Sequence, residues 1–136
     1  MKKLFILLLI LAFLPMLCLT SCCKSSSAKT VTQEVVNHVI TDKAELKKVL
    51  IEQRPVSSGS KEQVVVFSIT LKNVTNEPLV YTATAIIDNN AAGTGTIPDD
   101  EAGLKKVMPG QELTDRVAVM YDKIPTNFVL YIDVEK

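Results

Sequence analysis

The chain has 136 residues, enough for one domain, and 15 basic residues balance 15 acidic ones. There is no basic patch to neutralise phosphates, which excludes nucleic acid as a partner, and no polybasic run to hold anionic lipid by charge alone. The three cysteines, Cys18, Cys22 and Cys23, all lie near the N-terminus. A disulfide within the remaining chain is therefore excluded.

Lys2 and Lys3 precede an apolar run from Leu4 to Leu17, interrupted by Pro15. A run of this length is short for a bilayer span and suits the apolar region of a signal peptide. It ends at Leu19-Thr20-Ser21-Cys22. That tetrapeptide resembles a bacterial lipobox: Leu three residues before the cysteine, small residues between, then the Cys that becomes the new N-terminus. The resemblance implies cleavage before Cys22 and acylation of its thiol. Cys18 fits less well, with Pro15 in the Leu position, and Cys23 would place Thr20 there. The expected organisation is a signal peptide over 1–21, a lipidated Cys22 with a flexible Ser-rich tether over 22–30, and a β-sandwich over 31–136. Removing 1–21 takes away Lys2 and Lys3 and no acid, leaving a net charge of −2 by count. Two or three acyl chains anchor stably, at ~0.8 kcal/mol per buried methylene. Among lipoproteins of this kind, Asp after the lipidated Cys favours inner-membrane retention in many Gram-negative bacteria. Here the position is Cys23, which favours an outer-membrane anchor facing the periplasm in such an organism.

Val31 to Ile40 is β-branched but has apolar residues at helical spacing; a strand is favoured for its second half. His38, the sole histidine, lacks Cys or Glu partners at metal spacing. Asp42-Lys43-Ala44-Glu45 has a capping-box pattern, which predicts a helical turn over 42–47. Lys48 to Arg54 reads as a strand. Gln63 to Lys72 is the clearest one, with Val65, Phe67, Ile69 and Leu71 on one face. Asn73-Val74-Thr75-Asn76-Glu77-Pro78 is a turn cluster in which the glycosylation pattern Asn73-x-Thr75 is read as incidental.

Leu79 to Asp88 alternates again, with small Ala83 and Ala85 on its apolar face. A loop is predicted over 89–95 and a short edge strand at Thr96 and Ile97. Asp99-Asp100-Glu101 is read as an acidic bend and Leu104 to Met108 as a short strand. After the Pro109-Gly110 turn, Glu112 to Tyr121 places Leu113, Val117 and Val119 on one face, broken by Asp115. Phe128 to Val134 closes the domain. Tyr121, at the corner before that strand, is a candidate tyrosine corner bonding to backbone.

Several short strands with turn signals and no long helix give an all-β fold, an immunoglobulin-like sandwich of about six or seven strands. The expected core is Phe67, Ile69, Leu71, Tyr81, Ile87, Val117, Val119, Phe128, Leu130 and Ile132.

The order of these pieces, with Asn73-x-Thr75 after the second long strand, a Tyr-bearing strand ending at Asp88, Pro109-Gly110, and a final Phe128-x-Leu130 strand, is similar to the YcfL-like family of envelope lipoproteins. It also resembles extracellular domains named for an FxLYD motif, where this chain reads Thr84-Ala85-Ile86-Ile87-Asp88. The resemblance spans about residues 36–134. It implies an immunoglobulin-like sandwich in the envelope and carries no catalytic residues.

Sites were sought among the remaining polar residues. Asp88, Asn90, Gly93 and Asp99 loosely follow calcium-loop spacing, but Ala92 replaces one ligand and flanking helices are missing. A solvated hairpin loop is the preferred reading, with no metal and no cofactor. Asp99, Asp100 and Glu101 are adjacent and do not form an acid/base pair across a cleft. No Ser–His–Asp or Cys–His set is marked, and G-x-S-x-G is absent. The sequence thus predicts no enzyme. It points to a non-catalytic interaction module held to the bilayer through acylated Cys22, with an envelope protein as partner. The alternative is a lipoprotein that captures a small ligand or ion near residues 89–101.

Overall fold

In a computed structural model of the chain, residues 29–31, 36–100 and 102–136 are described. They form eight strands: β1 (Lys29–Val31), β2 (Val36–Ile40), β3 (Ala44–Pro55), β4 (Gln63–Asn73), β5 (Tyr81–Ile87), β6 (Ala91–Ile97), β7 (Glu112–Met120) and β8 (Phe128–Val134). They build two four-stranded sheets, ordered β1-β3-β4-β7 and β2-β8-β5-β6. The expected signal peptide, Cys18, Cys22, Cys23 and the expected tether up to residue 28 lie outside the described residues.

Strand alternation decides which residues meet between the sheets. β4 turns Val65, Phe67, Ile69 and Leu71 inward, and β5 answers with Tyr81, Ala83, Ala85 and Ile87. All ten residues expected in the core are buried. Phe67 and Phe128 meet edge to face at its centre, with ring centroids 5.8 Å apart.

The pairings β4·β7 and β5·β8 correspond to the B–E and C–F pairs of an immunoglobulin sandwich, with β3 as strand A. A seventh strand, G, would normally flank F. Here the N-terminal β2 occupies that place in parallel register, Val36 beside Phe128 and Ile40 beside Ile132. Six strands thus make the sandwich proper, and β1 and β2 extend it.

Three local expectations are corrected. Residues 44–47, read as part of a helical turn, are strand: Ala44, Glu45 and Leu46 pair with Asn73, Lys72 and Leu71, and the register shifts between Leu46 and Lys48. The capping pattern is local, whereas pairing with β4 also packs Leu46 against the core. Residues 91–95, read as loop, are the larger part of β6. Gly93 and Gly95 are there because β6 lies directly against β7; a Cβ on Gly93 would run into the carbonyl oxygen of Ala118. Finally, 104–108 contributes a single bridge, Val107 to Leu79, in place of a strand.

The strand directions give the sandwich two ends. The loops 56–62, 88–90 and 121–127 cluster at one end, which also receives the incoming chain, since Lys29 pairs with Gln53. The segments 41–43, 74–80 and 98–111, with the C-terminus, form the other.

Candidate functional site

The strongest polar constellation joins the β5–β6 turn to the loop before β8. Asp88 and Asn89 turn the chain with positive φ of 51° and 54°, a conformation that Asp and Asn tolerate better than most residues. The Asp88 carboxylate accepts four short hydrogen bonds: from the Tyr121 hydroxyl at 2.6 Å, the Thr126 hydroxyl at 2.7 Å, and the backbone N–H groups of Asn127 at 2.6 Å and Thr126 at 3.1 Å. Donors of this number favour the charged form. The Tyr121 hydroxyl, foremost among them, holds the Asp88 pKa down at about 2. The same bond raises that of Tyr121. Oδ1 takes the Thr126 and Asn127 donors and Oδ2 the Tyr121 hydroxyl, and the arrangement clasps the 121–127 loop.

This geometry revises two readings. Tyr121 bonds to a carboxylate and not to backbone. Tyr81 makes the tyrosine-to-backbone bond, its hydroxyl donating to Lys43 O at 2.9 Å. The calcium spacing is not assembled. Asp88 and Asp99 sit beyond opposite ends of β6, whose seven residues extend ~23 Å. Gly93 lies between them against β7. Among the described residues, no group of three or more His, Cys, Asp or Glu is placed to hold a metal ion. His38 is an exposed residue of β2 beside Leu130.

The acidic bend is also structural. Asp100 caps its own loop, accepting from the N–H groups of Lys105 at 2.7 Å and Leu104 at 2.9 Å, and these bonds lower its pKa. The Asp99 N–H donates to the Asp115 carboxylate, which accounts for the acid interrupting the alternation of β7. Glu101 lies outside the described residues.

Asn73 is the one fully buried polar side chain among the described residues. Its amide donates to Glu77 O at 2.7 Å and Val107 O at 2.9 Å, and its carbonyl accepts from Thr75 N at 2.9 Å and Thr75 Oγ1 at 2.8 Å. Its own N–H and C=O reach Gln111 and Gly110. The residue locks the 74–80 turn to the Pro109-Gly110 turn. A glycosylation reading has no room here, since the amide nitrogen is enclosed.

The outer faces of the two sheets differ in charge. On the first, Lys48, Glu52, Arg54, Lys72, Glu112 and Arg116 all point outward. On the second, Val39, Tyr131, Thr84 and Thr94 form one row across the strands and Val129, Ile86 and Ala92 belong to the next. Asp133 is the one charged side chain on this face of β5, β6 and β8. Val39 and Tyr131 are exposed next to each other. Sequence reading noted the polar side of each strand without seeing that these sides share a sheet; that requires the order β2-β8-β5-β6, set by long-range pairing.

A cleft of about 540 Å³ opens by the β3–β4 loop, lined by Arg54, Pro55, Val56, Ser57, Ser58, Val64 and Met120. None of its lining falls within 89–101. Searches of family models, curated proteins and solved structures returned no match to this chain.

Proposed function

We propose that the protein is a lipid-anchored, non-catalytic interaction module of the bacterial envelope, in which acylated Cys22 holds the sandwich at the bilayer and the β2-β8-β5-β6 sheet receives another envelope protein. The observation that carries the partner reading is the charge-poor outer face of that sheet, with Tyr131 beside Val39 towards its β2 edge. Protein interfaces are depleted in charge at their core and enriched in aromatic residues, and desolvating Thr and Val costs far less than desolvating Lys or Glu. The β2 edge adds a second means of contact. On the opposite flank β6 packs on β7, so an incoming strand has its access along β2. Cys23 after Cys22 supports an outer-membrane location where the envelope has one. Resemblance to the YcfL-like lipoproteins and the FxLYD domains is consistent with this reading.

The test is site-specific photocrosslinking in native membranes. A crosslinker at Val39 or Tyr131 is expected to trap one reproducible partner, and Tyr131→Glu to reduce that product. Crosslinkers at Lys48 or Arg116 serve as controls on the charged face. Equal labelling from both faces, or no reproducible product from either, overturns the partner reading. Cys22→Ser is expected to release the protein from membranes; full retention of that variant overturns the anchor.

A further inference from the structure

The two most exposed large apolar side chains among the described residues, Leu104 and Ile124, sit at opposite ends of the sandwich. At one end Ile124 is 73% exposed, with Val56 and Met120 near it; at the other Leu104 is 83% exposed, with Met108 and Val74. Composition does not distinguish them, but chain length does. β1 runs antiparallel to β3 with Lys29 opposite Gln53, so the chain enters at the end that carries loops 56–62 and 121–127. The Gln53 side chain donates to the Lys123 carbonyl at 2.9 Å, which places the 121–127 loop beside the entry point.

Cys22 precedes Lys29 by seven residues, a reach of at most ~25 Å when fully extended. Through Gln53, Lys29 stands level with Val65 of β4, eight residues or ~26 Å from Asn73 at the far end. With Cys22 in the bilayer, seating the Leu104 end on it would need the tether stretched to its full length alongside the sandwich, whereas the Ile124 end lies beside the entry point. The end bearing Ile124 is the one the tether brings to the lipid without being drawn taut.

We infer that this end docks on the lipid surface itself, with Ile124, Val56 and Met120 entering the interfacial layer and Arg54, Lys61 and Lys123 meeting headgroup phosphates. The inference rests on the Cys22 anchor. Glu62 and Asp122 are exposed in the same loops and the Asp88 carboxylate lies against 126–127, so acids match bases at this end and apolar contact carries the attachment. Arg54, Ser57 and Ser58 supply polar walls and Val56, Val64 and Met120 apolar ones to the cleft beside these loops, a lining suited to the edge of a phospholipid layer. Docked in this way, the domain stands upright. The outer face of the second sheet is then perpendicular to the membrane, and Leu104 and Met108 point away from it.

The chain contains no Trp, so a single introduced Trp is a clean reporter. The full-length chain, processed and purified from membranes, is reconstituted in phosphatidylethanolamine–phosphatidylglycerol vesicles as Ile124→Trp or Leu104→Trp. Ile124→Trp is expected to emit at shorter wavelength and to lose about half its emission to lipids carrying a quencher just below the headgroup, the ~5–10 Å depth of interfacial side chains. Leu104→Trp is expected to remain quenchable by aqueous iodide and insensitive to the lipid quencher. If neither Trp responds to lipid in protein that still sediments with the vesicles, docking is overturned while the anchor stands. Quenching of both overturns the upright orientation in favour of a domain lying on its flank. Protein that fails to sediment overturns the anchor, and the docking with it. Met120→Trp repeats the measurement should Ile124→Trp alter the circular dichroism of the fold.

Discussion

Replacing Asn73 tests whether one buried amide fastens the 74–80 turn to the Pro109-Gly110 turn. Asn73→Ala removes four side-chain hydrogen bonds. They do not all count equally. Glu77 is exposed and Thr75 half-buried, so water can replace part of what these partners lose. Val107 is fully buried, but its carbonyl keeps the Leu79 N–H at 3.1 Å. At about 1 kcal/mol for each dry bond, plus ~1–3 kcal/mol for under-satisfied buried groups, the net loss is about 2–4 kcal/mol. Asn73→Asp is nearly isosteric and should be worse at neutral pH, because its carboxylate faces the Glu77 and Val107 carbonyls where N–H donors stood. Burial and these carbonyls raise the pKa of the introduced acid above its unfolded value. The folded variant then binds more protons than the unfolded one, so its extra destabilisation shrinks as pH falls from 7 towards ~4. Urea unfolding of the chain lacking residues 1–21, followed by circular dichroism at pH 7 and pH 5, measures both variants. Unchanged denaturant slopes make the free-energy differences comparable. Asn73→Ala within ~0.5 kcal/mol of wild type, or Asn73→Asp as stable as Asn73→Ala at pH 7, would refute the reasoning.

Other variants probe separate parts of the sandwich. Asp88 has a depressed pKa, so the stability it contributes is present above its unfolded value of 3.8 and is lost as pH falls towards about 2. Acid titration of the wild type should show this loss, whereas Asp88→Asn should be less stable at pH 7 and have a flatter profile between those limits; identical profiles would remove Asp88 from the account. Gly93→Ala drives a methyl group into the β7 backbone and should cost at least ~1–3 kcal/mol, while Gly95→Ala meets Val117 Cγ2 at 3.3 Å and the Arg116 carbonyl oxygen at 3.6 Å and should cost less. The reverse order in thermal melts would contradict the packing of β6 on β7. Phe67→Ala empties the centre of the core and should cost ~3–5 kcal/mol in urea unfolding; a variant that melts with wild type would displace Phe67 from that role.

Much of the fold was legible because burial on one face imposes a period of two. Val65 to Leu71 and Phe128 to Ile132 announced their faces directly, and the core followed. The β6 strand was not legible, since Ala91-Ala92-Gly93-Thr94-Gly95 has the composition of a loop. Its glycines serve a contact with β7, about 25 residues away in the chain, that no local pattern records. The short helix expected near Asp42 failed for a related reason: a capping pattern describes four residues, and β4 recruits the same residues into a sheet. At the polar sites the sequence marked Asp88 as a strand end and Asn73 as a turn residue but not what they hold. Asp88 meets Tyr121 and Thr126 only after β5 and β8 pair, and Asn73 meets Val107 only after two loops converge. The outward faces were visible strand by strand, yet their difference in charge required the sheet order.

The parallel pairing of β2 with β8 also sets the timing of folding. Each of its five register pairs joins residues 92 positions apart, so the pair closes nearly the whole domain. Contacts so distant in sequence form late, because the loop must be closed before they contribute. Synthesis runs from the amino terminus, so β2 is made first and β8 last of the strands in this sheet. The second sheet therefore stays incomplete until β8 is available. During that interval β5 and β8 lack their flanking strand, a state in which a strand from another molecule competes for the place that β2 will take.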